Sequence, residues 1–180
     1  MYTYISLLRG INVSGQKKIK MADLKGLYEG LGFANVRTYL QSGNVVFDTH
    51  TQDADELAAI IEARIKQIYG YSVTVFIREP GDFQRILESN PFVDRPGAQP
   101  NRLLVTFLCR QSPEYKLYDL SILPDTGDEF SIGQSEIYLF YPDGYGKSKL
   151  SNNFFERKLG VPATTRNWKT VNALYDMGVE

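Results

Sequence analysis

The chain is organised around Ile5-Ser6-Leu7-Leu8-Arg9-Gly10-Ile11-Asn12-Val13-Ser14-Gly15-Gln16-Lys17-Lys18. Its first residues belong to an apolar segment that predicts a β-strand over residues 2–8. A loop follows that combines glycines, amides and cations, and a predicted helix follows the loop. Loops carried by a rigid scaffold are frequent ligand sites. The stretch therefore indicates a binding site and leaves the ligand open.

The composition predicts a folded and nearly neutral protein. The 180 residues are 43% hydrophobic, with 20 Lys and Arg against 21 Asp and Glu, for a net charge of -1. These values exclude a disordered chain and argue against a generic basic nucleic-acid coat. The single cysteine, Cys109, excludes an internal disulfide, and its apolar surroundings predict that it is buried. No signal peptide or membrane-spanning run is apparent, so we expect a cytoplasmic protein with no membrane partner.

The first half of the chain predicts the order strand, helix, strand, strand, helix, strand. Leu24, Leu27 and Tyr28 have helical spacing, and Asp53 with Glu56 resembles a capping box. An apolar stripe over residues 57–68 continues the second helix as far as Gly70. The predicted elements are residues 2–8, 21–31, 35–40, 45–48, 53–69 and 72–77. This order is that of a ferredoxin-like βαββαβ unit.

The second half predicts the same order after a Pro- and Gly-containing linker. The predicted elements are a linking helix at 82–88, strands at 103–109, 129–132, 136–141 and 164–166, and helices at 112–120, 150–159 and from 168 onward. Ser112 and Asn167 are candidate helix caps, and Gly160 is a candidate helix end. We therefore predict an α+β fold of two tandem ferredoxin-like units with antiparallel sheets. The predicted domains are 1–79 and 101–180, joined by 80–100.

Four sequence blocks resemble one bacterial family, called domain of unknown function 1697. The blocks are LLRGINV at residues 7–13, TYLQSGNVVF at 38–47, GYGKSKL at 144–150 and TTRNWKTV at 164–171. The resemblance implies the same two-part ferredoxin-like architecture, and it brings no established activity, ligand or catalytic residue. The chain departs from the family pattern at Ser14, where a glycine is often found, and at Lys147, where we expect arginine.

The predicted topology places one candidate site at the end of the first strand. The first and third strands of a ferredoxin-like sheet are antiparallel neighbours, which brings residues 9–16 beside the turn at 42–44. Arg9 offers a planar donor fork, Asn12 and Asn44 offer amides, and Ser42 offers a hydroxyl. This combination predicts an oxyanion or phosphate site. The alternative is structural: Gly43 and Asn44 form a tight turn, and Arg9 pairs with an acidic neighbour.

A second candidate site lies in the other predicted unit. Its third and fourth strands run parallel, so their carboxyl ends bring residues 143–148 beside 166–168. Lys147, Ser148, Arg166, Asn167 and Trp168 would form this second cationic edge. The alternative is that Asn167 caps the last helix and Trp168 fills the core. Whether the two edges share one cleft is left open by the sequence.

Our preferred function is binding of a small phosphorylated or otherwise anionic ligand, nucleotide-like in chemistry, without a metal or cofactor. Arg9 and Arg166 would hold the charge, and Trp168 could stack. A nucleic-acid-binding module and a protein–protein interaction module remain alternatives. A Walker A loop is disfavoured because Tyr141 stands where that motif needs glycine, and a typical zinc site is disfavoured because His50 is the only histidine. The sequence does not establish catalysis or oligomeric state.

Overall fold

The computed structural model of the protein describes residues 1–109, 127–145 and 148–180. These residues form eight strands and five helices. The strands are β1 Tyr2–Leu8, β2 Ala34–Tyr39, β3 Asn44–Thr49, β4 Val75–Arg78, β5 Leu103–Leu108, β6 Glu129–Ile132, β7 Glu136–Phe140 and β8 Ala163–Asn167. The helices are α1 Met21–Gly30, α2 Ala54–Tyr69, α3 Pro80–Ser89, α4 Asn152–Leu159 and α5 Trp168–Val179. The helix predicted at 112–120 lies outside the described residues.

The chain divides into two compact units, each with one sheet. Unit 1 comprises Met1–Arg85 and Ala173–Glu180, and unit 2 comprises Ile86–Asn172. The strand order is β2-β3-β1-β4 in unit 1 and β6-β7-β5-β8 in unit 2. All neighbouring strands are antiparallel. The protein is therefore α+β with two four-stranded antiparallel sheets, while the domain boundaries at residues 79 and 100 stay a prediction.

The core of unit 1 lies between one face of its sheet and the helices α1 and α2. Alternate residues of β1 point to opposite faces, so Tyr4 and Leu8 join this core. They pack with Leu24 and Tyr28 of α1, as the helical spacing predicted. The phenyl ring of Phe47 meets Tyr28 edge-on, with ring centroids 5.3 Å apart. The periodicity of the sequence thus determined which face of α1 is buried.

The apolar stripe of α2 is narrower than predicted. Leu57, Ile61 and Ile65 are buried, whereas Ile60 is 38% exposed and Ile68 is 54% exposed. The buried residues follow an i, i+4, i+8 line. Ile60 lies off that line, and Ile68 lies in the last turn. The prediction was therefore wrong for these two isoleucines.

Local capping chemistry fixes the ends of the helices. The carboxylate Oδ1 of Asp53 accepts hydrogen bonds from the backbone N–H of Asp55 (2.9 Å) and of Glu56 (3.0 Å), which begins α2. Gly70, with φ of 72°, ends α2, and Gly160, with φ of 67°, ends α4. These predicted helix ends are confirmed.

Unit 2 has its own apolar core, and Cys109 is not part of it. The core contains side chains from β5, β7, α4 and the adjoining residues: Leu104, Leu108, Ile137, Leu139, Tyr141, Leu150, Phe155, Leu159, Val161 and Ala163. Cys109 is exposed, so the prediction that it is buried was wrong. The apolar run that suggested burial ends one residue earlier, because β5 ends at Leu108.

Candidate functional site

Three chain segments meet at the end of β1. Leu7 lies opposite Asn44 in the β1–β3 ladder, and the backbone N–H of Leu8 donates to the carbonyl of Gly43 at 2.8 Å. The N–H of Arg9 donates to the carbonyl of Thr74 at 2.9 Å, which adds the segment leading into β4. The predicted proximity of the loop after β1 to the turn before β3 is confirmed. We call this region the first edge.

A small hairpin projects from the first edge, and we call residues 12–17 the finger. The N–H of Asn12 donates to the carbonyl of Lys17 at 3.2 Å, and the N–H of Gln16 donates to the carbonyl of Val13 at 2.9 Å. Ser14 and Gly15, between them, have φ of 50° and 74°. Two consecutive left-handed residues are the signature of a type I′ turn. The finger is therefore a hydrogen-bonded hairpin tip.

Asn12 anchors the finger to the body of unit 1. Its Nδ2 donates to the carbonyl of Ile19 at 2.9 Å and to the carbonyl of Gln41 at 2.8 Å, while its Oδ1 accepts from the N–H of Ile19 at 2.9 Å. An asparagine amide has two N–H donors, so both are engaged. The structure therefore places Asn12 at the first edge, as predicted. Its side chain links the loop after β1 to the turn before β3.

The turn before β3 is closely packed against the loop after β1. A Cβ atom on Gly43 would lie 2.8 Å from Cδ1 of Ile11 and 2.8 Å from Cβ of Leu8. The buried Asn44 donates from Nδ2 to the carbonyl of Tyr39 at 2.8 Å and to Oγ of Ser42 at 2.9 Å. Ser42 and Asn44 therefore brace the turn, and Gly43 allows the two loops to touch.

Strained backbone is concentrated at the first edge. The described residues contain five non-glycine residues with positive φ, and four of them lie here: Asn12, Ser14, Lys17 and Leu40. Leu40 has φ of 56° and its side chain is 56% exposed, although aliphatic residues rarely adopt this conformation. Strain of this kind persists where the surrounding structure enforces it, and it clusters at functional sites.

Three cationic residues either bond to the segment that leads into β4 or line a cavity together with it. Nζ of Lys17 donates to the carbonyl of Ser72 at 2.6 Å, and Arg9 contacts Thr74 through its backbone. Lys66 of α2 lines a cavity of about 430 Å³ together with Ser72 and Thr74. This volume falls within the range of small-molecule sites.

The second predicted edge does not present its arginine to solvent. Arg166 is only 7% exposed, and its Nη1 donates to Oγ1 of Thr164 at 2.8 Å and to the carbonyl of Thr165 at 3.0 Å. Burial lowers the pKa of Arg166 to about 10. Arg166 and Asn167 are adjacent in β8 and so point to opposite faces of the sheet. The predicted Arg166–Asn167 pair therefore does not form one surface.

The other residues of the second edge have structural partners. Oδ1 of the exposed Asn167 accepts from the N–H of Thr170 at 2.8 Å, so the predicted cap of the last helix is confirmed. Trp168 is half-buried. Oγ of Ser148 donates to Oδ2 of Asp128 at 2.8 Å. Lys147 lies outside the described residues.

Three residues of interest, Lys66, Thr74 and Glu136, were not predicted from the sequence. Lys66 and Thr74 line the same cavity because α2 packs beside β4, and this packing of distant segments cannot be predicted from a local sequence pattern. Glu136 is fully buried, and its carboxylate accepts from the N–H groups of Gln134 at 3.2 Å and Ser135 at 3.1 Å. The signal available for Glu136 was an acidic residue beginning an otherwise apolar strand.

Two further features bear on chemistry. Among the described residues, no group of three or more His, Cys, Asp and Glu side chains is arranged to hold a metal ion. None of the helices in those same ranges is long and apolar enough to cross a lipid bilayer.

The fold and the first edge define an α+β protein with two four-stranded antiparallel sheets and a rigid hairpin finger. The family described as Protein of unknown function (DUF1697) matches residues 1–138, and the chain belongs to this family. The suspected family is thus confirmed. The matched range includes the first two sequence blocks, and the blocks at 144–150 and 164–171 lie beyond it.

One solved structure extends the comparison to nearly the whole chain. It is the structure of conserved bacterial protein SP0830 from Streptococcus pneumoniae, which is 25% identical and covers 97% of this chain and 97% of its own, with a TM-score of 0.76. No curated protein matches the chain. The comparisons therefore supply a family and a fold.

Proposed function

We propose that the protein binds a small phosphorylated or otherwise anionic ligand, nucleotide-like in chemistry, beside the finger. The observation that carries this proposal is a cavity of about 430 Å³ that Lys66 and the Ser72–Thr74 segment line, beside the bonds of Lys17 Nζ and of the Arg9 backbone N–H to that segment. The cationic residues Arg9, Lys17 and Lys66 come from three separate parts of the chain and adjoin this segment, and cationic residues that line or flank a cleft favour an anion.

The described residues that line the cavity include one carboxylate and one ammonium group. The one carboxylate that lines it, that of Glu62, accepts from the N–H of Val75 at 2.8 Å through Oε1. That bond holds Glu62 against the backbone of β4. Thr74 is half-buried, and its hydroxyl would add a neutral donor or acceptor. A phosphate group in the cavity would find the ammonium group of Lys66 and the hydroxyl of Thr74.

The predicted polar residues of the first edge have a positioning role in this proposal. Asn12, Ser42 and Asn44 hydrogen-bond to the loops and hold the finger against the turn. Arg9 remains a charge-bearing residue, and the proposal adds Lys17 and Lys66. The residues of the second edge are not needed for this ligand.

We also propose that both units have the ferredoxin-like βαββαβ topology and that the protein works in the cytoplasm. Strand orders of β2-β3-β1-β4 and β6-β7-β5-β8 support the first proposal. A single cysteine in 180 residues supports the second, because secreted domains often carry disulfides.

A thermal-shift screen tests the ligand proposal. The wild-type protein is heated with nucleotides, sugar phosphates and short oligonucleotides, and a specific ligand raises Tm by mass action. We expect Arg9→Ala and Lys66→Ala to abolish the shift. Lys25→Ala is the matched control, since it removes one positive charge from α1, where Lys25 pairs with Glu29 at 3.8 Å. Retention of the full shift in both Arg9→Ala and Lys66→Ala would refute the site.

Salt dependence separates a small ligand from a nucleic acid. A nucleic acid that neutralises several phosphates loses affinity linearly with the logarithm of salt concentration, with a slope proportional to the number of contacts. A nucleotide at two or three cations has a shallow slope. A steep slope with oligonucleotides and no shift with nucleotides would replace the small-ligand proposal with a nucleic-acid module.

A second candidate function is a protein interaction module, and one observation favours it. Val13 on the finger and Leu40 on the neighbouring turn are 57% and 56% exposed. Two exposed aliphatic side chains on rigid loops offer apolar contact area to a partner. Capture of one specific partner equally by the wild type and by Arg9→Ala, with loss in Val13→Ser, would favour this candidate.

A further inference from the structure

A different surface of unit 1 has a strand edge to which no other described strand is paired. Its sheet has two outermost strands, β2 and β4, and among the described residues β2 pairs with β3 on one side only. An edge strand presents unpaired N–H and C=O groups and is a template for another strand. Proteins exploit such edges to bind extended peptides by strand addition.

The ladder alternation identifies which backbone groups of β2 are open. The bond from Leu8 N–H to the carbonyl of Gly43 shows that these opposite residues form a hydrogen-bonded pair of the β1–β3 ladder. Alternate residues of β3 therefore bond to β1, and those between them bond to β2. The partners of the latter in β2 are Arg37 and Tyr39. The N–H and C=O of Thr38 consequently point away from the sheet.

A groove of about 640 Å³ adjoins this edge at residues 35–37, directly before Thr38. Lys25 and Glu29 of α1 line it on one side, and Gly178 and Glu180 line it at the end of the last helix, while Arg37 belongs to the strand itself. A strand edge that lies between two helical walls has room for a slender extended segment. The open ladder over residues 37–39 would meet about four residues of peptide, at about 3.3 Å per residue.

The opposite end of the groove contains an acidic group. Oδ1 of Asp48 accepts from Oγ1 of Thr3 at 2.8 Å, and Oδ2 accepts from Nδ2 of Asn35 at 2.7 Å. Both donors are neutral, and Asp48 makes no ion pair with any described residue. Its negative charge is therefore uncompensated within the groove.

The remaining charges of the groove cancel in pairs. Nη1 of Arg37 contacts Oε2 of Glu180 at 2.9 Å, and Nζ of Lys25 lies 3.8 Å from Oε1 of Glu29. Two carboxylates thus face two cations, and Asp48 adds one further negative charge. The groove is complementary to a segment that carries a basic side chain.

We propose that the open edge of β2 binds an extended peptide segment of a partner protein by strand addition, with a lysine or arginine of that segment at Asp48. The main-chain hydrogen bonds of Thr38 supply affinity that depends little on sequence, and Asp48 supplies the preference for a basic residue. The bulge between Ala34 and Arg37, where Asn35 has φ of 48°, ends the open ladder and fixes the register of the added strand.

The test uses a capped pentapeptide, Thr-Val-Lys-Val-Thr, with two matched peptides. One has glutamate in place of lysine, and the other is N-methylated along the backbone and cannot donate. Amide NMR shifts and calorimetry on the full chain measure binding. We expect the lysine peptide to shift the amide of Thr38 and to bind more tightly than the other two.

Two variants at Thr38 form a matched pair. Thr38→Pro removes only an outward N–H, so it leaves the β2–β3 ladder intact, and it should weaken binding at least about fivefold. Thr38→Val keeps that N–H and should bind as the wild type does. Asp48→Asn should abolish the preference for lysine over glutamate. Thermal melting verifies that each variant is folded.

Several results would overturn the proposal. Equal binding by folded Thr38→Pro or by the N-methylated peptide would exclude strand addition. If Thr38→Pro does not fold, the N-methylated peptide and the amide shifts of the wild type decide alone. A wild-type dimer that Thr38→Pro dissociates, measured by light scattering, would assign the edge to a second copy of the chain. Absence of any binding at millimolar peptide would also reject the proposal.

Discussion

The first edge of unit 1 and its counterpart in unit 2 share one backbone frame and differ in their side chains. Leu8 N–H donates to the carbonyl of Gly43 at 2.8 Å, and Leu108 N–H donates to the carbonyl of Ser135 at 2.8 Å. The next residue in each unit, Arg9 or Cys109, donates to the segment before the fourth strand, at 2.9 Å and 3.0 Å. The frame is thus common to both units.

The first residue of the third strand shows what differs. In unit 1 this residue is Asn44, whose amide donates to the carbonyl of Tyr39 and braces the turn. In unit 2 it is Glu136, whose carboxylate accepts from the amides of Gln134 and Ser135. One unit braces its turn with a donor and the other with an acceptor. The frame therefore does not determine the chemistry, which depends on the side chains it carries.

The comparison also explains why the two predicted sites are unlike. The first edge lies at the end of β1. The second predicted edge lies at the start of β5, where Leu104 faces Asn167. These are opposite ends of equivalent strands. The structural counterpart of the first edge in unit 2 is the Ser135 turn, which carries a buried acid in place of exposed cations.

The largest expected effect is a loss of stability when a side chain is added at Gly43, where the turn before β3 packs against the loop after β1. Gly43→Ala places a Cβ 2.8 Å from Ile11 Cδ1 at a left-handed position, so we expect a loss of about 3 kcal/mol in the free energy of unfolding. Gly10→Ala is the control, because Gly10 is also left-handed but has no atom within 4 Å of its Cβ position. Its expected loss is about 1 kcal/mol.

Urea unfolding measures both glycine variants. In unit 2 the counterpart of Gly43 is Ser135, which already carries a side chain. The turn in unit 2 is therefore not crowded at this position, and we expect Ser135→Gly not to stabilise the protein. Equal losses for Gly43→Ala and Gly10→Ala would show that the close approach of the two loops in unit 1 is unimportant.

The second expected effect concerns the anchor that unit 1 uses for its finger. Asn12→Ala removes three hydrogen bonds, to Ile19 twice and to Gln41, and should destabilise the protein by about 2 kcal/mol. Asn12→Asp keeps the acceptor to the N–H of Ile19 but places its other carboxylate oxygen against the carbonyl oxygens of Ile19 and Gln41, so its loss should be at least as large. Hydrogen exchange of the finger amides should accelerate in both variants. Unchanged exchange would show that the finger is held by other contacts.

The third effect is a pH dependence that both units share. Tyr28 in unit 1 and Tyr141 in unit 2 have buried hydroxyls, and burial raises the pKa of each above the usual 10.0. Above pH 10 the unfolded chain loses protons that the folded chain keeps, so stability should fall as the pH rises. Below pH 10 both states hold these protons and this contribution is constant.

Two variants test whether the hydroxyls of Tyr28 and Tyr141 cause this decline in stability above pH 10. Tyr28→Phe removes the hydroxyl that lies 2.6 Å from Oγ of Ser6, and it should lower stability by about 1 to 2 kcal/mol at neutral pH while flattening the decline above pH 10. Tyr141→Phe, which loses the bond to the carbonyl of Leu150 at 2.7 Å, should behave similarly. Urea unfolding from pH 8 to 11 tests this, and an unchanged slope in both variants would contradict it.

The sequence predicted most of the fold because its signals are local. Helical spacing, the Asp53 cap and the glycine at position 70 each act within a few residues, and the observed α2 agrees with them. The meeting of residue 9 with the 42–44 turn was also predictable, because antiparallel pairing fixes which strand ends adjoin once a hairpin is located.

The parts of the site that escaped prediction depend on long-range packing. Alternation in β8 separates Arg166 from Asn167, but only the tertiary structure shows that the face of Arg166 is covered. Lys66 and Thr74 line the same cavity through the packing of α2 beside β4. Cys109 was predicted to be buried because the end of a strand cannot be located to one residue from composition.

The smallest expected effect tests whether Asn167, which caps the last helix, also contacts a ligand, and the Asp53 cap in unit 1 supplies the reference. Asn167→Ala removes the bond to the N–H of Thr170 and should lower stability by about 1 kcal/mol, like Asp53→Ala at the start of α2. Asn167→Asp keeps an accepting oxygen and adds a negative charge at a helix N-terminus, so it should be as stable as the wild type.

An anionic ligand held by Asn167 would be repelled by that same charge. Thermal melting of Asn167→Asp with and without the best ligand of the screen distinguishes the two roles. An unchanged ligand-induced shift in Tm would show that Asn167 acts only as a cap. Loss of the shift in a variant of full stability would identify a ligand contact in unit 2 and extend the site beyond the first edge.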